Sequence, residues 1–205
     1  VEKVYMLQSL RNRWWPAPGW LGMAMDEQGA SLVELCPQAM VQRRIERSVD
    51  VPWPTPKQPW QDPVAFGRAL SRGMADAHIG HRPLALALPS DAVVQDSLWV
   101  DADLTAQEIH DQVTWVASQA LQLDWDAVAV DYRREETPTE EFPGQFHWFW
   151  AACPQERVHA ASQLSRAAGL RLAFLGPSPP DLAPEDGRPM RYHVACHMAW
   201  QAARA

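Results

Sequence analysis

Arg82-Pro83-Leu84-Ala85-Leu86-Ala87-Leu88-Pro89-Ser90-Asp91 carries the strongest local signal in the chain. Leu84 to Leu88 is wholly apolar and closed on both sides by proline. Such a run is too short for a typical helix and predicts a strand buried on both faces. Pro89-Ser90-Asp91 is a turn signal, after which Ala92 to Val100 resumes as β-prone sequence. Asp101 to Thr105 then leads into a helix, with Thr105 and Glu108 at capping-box spacing. Ile109, Val113, Val116 and Ala120 predict its apolar face, and Ala127 to Tyr132 closes the unit as a return strand.

Upstream, Trp20 to Cys36 reads as a β-hairpin. Leu21, Met23 and Met25 alternate with Gly22, Ala24 and Asp26, Glu27-Gln28-Gly29 turns the chain, and Ala30 to Leu35 returns. Met40 to Val51 predicts a third strand with arginines on its open face, stopped by Pro52, Pro54 and Pro56. Asp62 as N-cap and Pro63 at the first helical position start a helix whose buried stripe is Phe66, Leu70 and Met74. Downstream, Arg133 to Gly144 is a polar, acidic loop. Phe146 to Ala152 is a strand with Phe146, Trp148 and Trp150 on one face. Gln155 to Ala168 is an amphipathic helix with Val158, Ala161, Leu164 and Ala168 inward and Gly169 at its C-terminal cap. Leu170 to Leu175 is an apolar strand. Gly176 to Met190 contains five prolines and predicts no regular structure. Arg191 to Arg204 is a last helix, apolar through Val194, Met198 and Ala202.

The chain has 205 residues, 47% hydrophobic and 21% charged, in the range of a globular protein. A net charge of −7 argues against a general nucleic-acid binder, which presents a basic face. It also removes electrostatic support for reading the aromatic strand as a platform for bases. Cys36, Cys153 and Cys196 are odd in number and widely spaced, which points to a reducing compartment. No apolar run reaches the length of a membrane span, and the first residues lack the core of a secretory signal, so a cytoplasmic protein is expected. Val1 to Trp15 carries Lys3, Arg11 and Arg13 among apolar residues and reads either as a docked or frayed tail or as a membrane-surface segment. His193 and His197 are spaced i, i+4 and could share a metal, but a zinc site needs further ligands, and a core or interface role is the plainer reading. Asp131 and the Glu135-Glu136 pair could do acid–base work, but a solvated loop after a strand is the far commoner reading. No GxSxG, P-loop or GxGxxG occurs.

The order of these elements resembles the PilM family, cytoplasmic actin-like proteins of type IV pilus assembly. The similarity rests on Leu21-Gly22, on Leu32-Val33-Glu34-Leu35, on Leu86 to Ser90 with Val93, and on Leu104-Thr105 with Glu108. Val130-Asp131-Tyr132, Ala151-Ala152, Ala168-Gly169-Leu170 and the helix from Tyr192 to Trp200 complete it. The resemblance implies an α/β fold: a reduced actin-like (ribonuclease H-like) subdomain at 19–89 and 151–205, a small inserted α/β subdomain at 90–150, and an N-terminal tail at 1–18. It also implies a partner, the cytoplasmic tail of an inner-membrane PilN-like protein, lying in a cleft beside the insert. Trp99, Trp115 and Trp148 are the candidate anchors for that tail, each equally readable as core.

Where the chain departs from the family pattern, it departs at the phosphate loop. The family's hairpin carries Asp-x-Gly and small hydroxyl residues, so that a carboxylate serves the metal and bare backbone approaches phosphate. Aligning Leu32 to Leu35 puts Ala24 at the aspartate and Asp26 at the glycine, with Glu27 next. Shifting by two restores Asp26 as the aspartate but leaves the hydroxyl turn missing. Gly176 to Met190 also stands where the family has its whole second nucleotide lobe. The expectation is a non-catalytic adaptor of a pilus or DNA-uptake machine, with no cofactor and no metal. The alternatives are a cytoplasmic scaffold of a type II secretion system and a minimal nucleotide- or metal-dependent enzyme.

Overall fold

The computed structural model describes residues 19–35, 45–53, 60–135, 144–179 and 188–204. The expectations for residues 1–18, for Cys36, for Met40 to Arg44 and for most of the proline-rich stretch after Gly176 lie outside them. The chain divides into two compact units, one running to Ser90 and resuming at His159, the other Asp91–Val158.

The first unit is built on five strands: β1 (Leu21–Met25), β2 (Gly29–Leu35), β3 (Ile45–Pro52), β4 (Pro83–Leu88) and β8 (Arg171–Pro177). Their order is β3-β2-β1-β4-β8, with β1, β4 and β8 parallel and the β1–β2–β3 meander antiparallel. The apolar run Leu84 to Leu88 lies in the interior of this sheet and is buried throughout, as a parallel strand covered on both faces must be. One face carries Ala24, Val33, Ala85 and Ala87 and packs against Val194, Ala195 and Met198 of α4 (Met190–Arg204). The approach there is close: a Cβ on Gly22 would stand 1.9 Å from the Ala195 carbonyl oxygen.

The opposite face is set by strand alternation. Val51 pairs with Ala30 and Ala30 with Met25, and Val51 meets Gly73 of α1 (Pro63–Asp76). α1 starts as its sequence requires, with Asp62 accepting from the Ala65 N–H at 3.1 Å and Pro63 in the first turn, and it buries Phe66, Leu70 and Met74. Gly67 allows α1 to approach Leu164 and Ala167 of α3 (Gln155–Ala167), where a Cβ would lie 2.4 Å from the Leu164 carbonyl oxygen. Glu34 is buried on this face, 3.1 Å from Arg82 and 4.0 Å from Arg47.

The second unit is a three-stranded antiparallel sheet, β5-β7-β6, of β5 (Val94–Asp101), β6 (Val128–Arg134) and β7 (Gln145–Pro154), packed by α2 (Ala106–Leu121). Both halves of the Thr105–Glu108 capping box form, and α2 ends at Gln122 in the left-handed conformation (φ 54°). Two expectations are corrected. Ala120 is exposed, and the buried face of α2 runs through Val113, Thr114, Ala117 and Ser118. The two hydroxyls are tolerated because they donate to the helix's own carbonyls at His110 and Trp115. β7 also continues unbroken to Pro154, so the small unit cannot end at residue 150.

Candidate functional site

Two places hold the residues singled out by sequence. The first is the tip of the β1–β2 hairpin. Ala24 is buried beneath α4 and contributes packing alone. Asp26 organises the turn: one carboxylate oxygen accepts from the N–H groups of Gln28 (2.8 Å) and Gly29 (3.0 Å). Arg191, in the first turn of α4, donates to both oxygens of the same carboxylate at 3.1 and 2.8 Å. The Arg191 Nε lies 3.4 Å from Asp50 on β3, and the Ser31 hydroxyl donates to that same Asp50 oxygen. The Trp53 indole N–H closes the tip by donating to the Asp26 carbonyl at 2.8 Å.

Burial pushes the Asp26 carboxyl up, but the Arg191 bond, the two backbone N–H bonds and the Arg191 charge outweigh it and hold the group below the usual carboxylate range. Glu27 is exposed beside it. Chemically, the tip is an anion site already filled by its own side chain. The N–H groups of Gln28 and Gly29 that could bind a phosphate serve Asp26. Among the described residues, Asp26 and Asp50 both contact Arg191, and Glu27 is exposed next to Asp26. A polyanion meets net repulsion there, so these residues do not fit a nucleotide phosphate. Sequence reasoning missed Arg191. A cation in the first turn of a helix opposes the helix dipole, and that mismatch was the available signal that it serves a specific carboxylate.

The second place is the small sheet. Trp99, Trp115 and Trp148 do not come together. Leu98 pairs with Trp148 and Trp99 with His147, so Trp99 and Trp148 project from opposite faces. Trp148 shares the α2-covered face with Trp150 and Tyr132, its ring 5.6 Å from that of Tyr132. Trp115 stands on the outer side of α2, 58% exposed. Trp99 belongs to the other face, stacked on His147 (4.5 Å between centroids, 21° between planes), and His147 meets Phe149 edge-on at 4.7 Å. Phe149, 40% exposed, and the 2.7 Å His147–Glu135 contact complete an aromatic row that sequence reasoning did not assemble. Strand alternation carries that signal, but only once the β5–β7 register is known. On this same face burial raises the Asp131 carboxyl, against a backbone hydrogen bond from Tyr132.

Burial lowers His197, and it pushes the Cys153 thiol up to about 11, so this cysteine is held as a thiol at neutral pH. Among the described residues no three potential ligands converge on a metal position, and no helix is long and apolar enough to cross a membrane.

Comparison with known proteins accords with this architecture. Among solved structures, the chain is similar to a PilM-PilN type IV pilus biogenesis complex, with TM-score 0.64 and 22% identity over 80% of this chain and 48% of that one. It is also similar to the cytoplasmic domain of EpsL, an inner membrane component of the type II secretion system of Vibrio cholerae, with TM-score 0.52 and 11% identity over 82% of this chain and 60% of that one. The chain thus spans about half the length of the first and three-fifths of the second. Both likenesses concern the fold, here the actin-like one. Curated proteins give no match. The profile of the type IV pilus assembly protein PilM matches residues 25–175, and the chain belongs to that family.

Proposed function

We propose that this protein is a non-catalytic adaptor of a type IV pilus assembly machine. It sits at the cytoplasmic side of the inner membrane and is held there by the cytoplasmic tail of a PilN-like membrane protein. The observation that carries the reading is the hairpin tip, where the family resemblance puts a phosphate loop and where Arg191 and the Gln28 and Gly29 N–H groups are taken up by Asp26. Family membership supports the pilus machine, and the solved complex of a family member with PilN supports the kind of partner. The aromatic row Trp99, His147 and Phe149 is the surface on which an extended tail finds apolar purchase. It replaces the scattered set Trp99, Trp115 and Trp148 as the candidate contact.

The test is a fluorescence titration with a synthetic tail peptide from the neighbouring pilus membrane protein, using the wild type and Phe149→Ala. The reading predicts saturable binding that Phe149→Ala weakens. Absence of binding tighter than about millimolar, roughly −4 kcal/mol, removes the mechanism. The likeness to the EpsL cytoplasmic domain supports a second reading, a secretion-system scaffold, which predicts capture of a secretion-type membrane protein from native membranes instead.

A further inference from the structure

We propose that Arg47 and Arg82, braced on the buried carboxylate of Glu34, form a binding site for a phosphate-type oxyanion. The inference stands apart from the tail-binding reading, because all its residues lie in the first unit.

Strand register assembles the site. Leu21 pairs with both Glu34 and Leu84, and Glu34 lies opposite Arg47, so these positions share one face of the sheet. Arg82, two residues before Leu84, reaches the same face at the end where β4 begins. Glu34 is 1% exposed there, and its Oε1 accepts from the Arg82 Nε at 3.1 Å. Its Oε2 is buried without a hydrogen-bond partner, 4.0 Å from the Arg47 Nη1. Arg47 is fixed instead by donating to the carbonyl of His78, the left-handed residue (φ 54°) that follows the end of α1.

The arrangement holds more cation than the fold needs. A buried carboxylate requires one cation bonded to it, and Arg82 supplies that. Arg47 is the surplus charge, and both side chains stay partly in solvent, Arg47 46% and Arg82 37% exposed. Each guanidinium uses one nitrogen on the fold, Arg82 its Nε and Arg47 its Nη1, and its other N–H groups bond none of the described residues. For Arg82 these include both terminal nitrogens, the planar fork that grips an oxyanion through two parallel hydrogen bonds. Asp76 and Glu46 are exposed and make no ion pair with either arginine. Arg171, paired with Pro83, adds another exposed cation at this end of the sheet.

Charge and shape select the ligand. Glu34 is closed to solvent and the arginines are open to it, so the site offers donors and positive charge rather than an acceptor. Both arginines approach one carboxylate, which brings the two guanidiniums close enough to share a ligand. A phosphate group has more oxygens to offer two forks than a carboxylate has.

The experiment follows backbone amide shifts of the full chain during titration with sodium phosphate, against sodium chloride at equal ionic strength. A saturable response to phosphate is expected at Glu34, at Arg47 and along His78 to Leu84. Arg82→Lys keeps a charge beside Glu34 but loses the fork, and Arg47→Gln leaves Glu34 its Arg82 partner; each should weaken binding about tenfold. Arg68→Gln, at an exposed position of α1, should leave binding unchanged. Flotation with phosphatidylglycerol vesicles, against phosphatidylcholine, assigns the source. Capture that both arginine variants lose makes the phosphate a lipid headgroup, and phosphate binding without capture makes it a soluble one. No saturable response to phosphate or to vesicles, an equal response to chloride, shifts elsewhere, or binding unchanged in both arginine variants would each overturn the proposal. None of these outcomes bears on the membrane-protein tail, which is tested with its own peptide and with Phe149→Ala.

Discussion

The two sheets manage their faces differently. The five-stranded sheet is covered by α4 on one side and by α1 on the other, and its polar residues are spent internally, Asp26 and Asp50 on Arg191 and Glu34 on Arg82. The three-stranded sheet is covered by α2 on one face, while its other face keeps a half-exposed aromatic row of Trp99, His147 and Phe149. A sheet with both faces packed and its loop tip ion-paired is a scaffold. A small sheet with an aromatic face available is what a binding surface needs.

The contrast can be broken most severely at buried packing. Trp150→Ala empties the cluster beneath α2, where Trp150 is 3% exposed, and should cost about 4 kcal/mol in urea denaturation. Gly22→Ala drives a methyl into the Ala195 carbonyl and should cost about 3 kcal/mol, or prevent folding, because backbone stands in the way. Arg191→Ala leaves Asp26 and Asp50 without their shared cation and should cost about 1 kcal/mol, given the partial exposure of both carboxylates.

The two regions should also answer acid with opposite signs. Asp26 has its carboxyl depressed in the fold, so its contribution is present above the unfolded carboxylate range and is lost as pH falls through the folded value. Asp26→Asn should therefore be destabilising at neutral pH and lose its effect in acid. Asp131 is raised, so its charge opposes folding at neutral pH and ceases to do so once pH falls below the unfolded value. Asp131→Asn should stabilise at neutral pH, with the gain disappearing in acid; paired pH–stability profiles read both. At the small end, Trp115→Ala should change stability by under about 0.5 kcal/mol, since this side chain is largely in solvent.

Much of the fold was legible because local chemistry decided it. The hairpin strands, the Asp62–Pro63 helix start, the Thr105 capping box and the buried run Leu84 to Leu88 are all short-range signals, and each appears where its residues put it. What stayed hidden depended on partners far away in sequence. Arg191 and Asp26 are 165 residues apart, and no spacing rule connects them. The tryptophans were chosen by type, whereas their use depends on register: one position separates Trp99, on the aromatic row, from Leu98, which faces α2. The phase of α2 departs from its apolar pattern at Ala120 because Thr114 and Ser118, polar by composition, are buried through bonds to their own helix.

The claim that the hairpin tip is closed to nucleotide is tested most directly by isothermal titration of the full chain with ATP and magnesium. No saturable heat is expected, because Arg191 and the Gln28 and Gly29 N–H groups already serve Asp26. A saturable, magnesium-dependent isotherm in the micromolar range would contradict it.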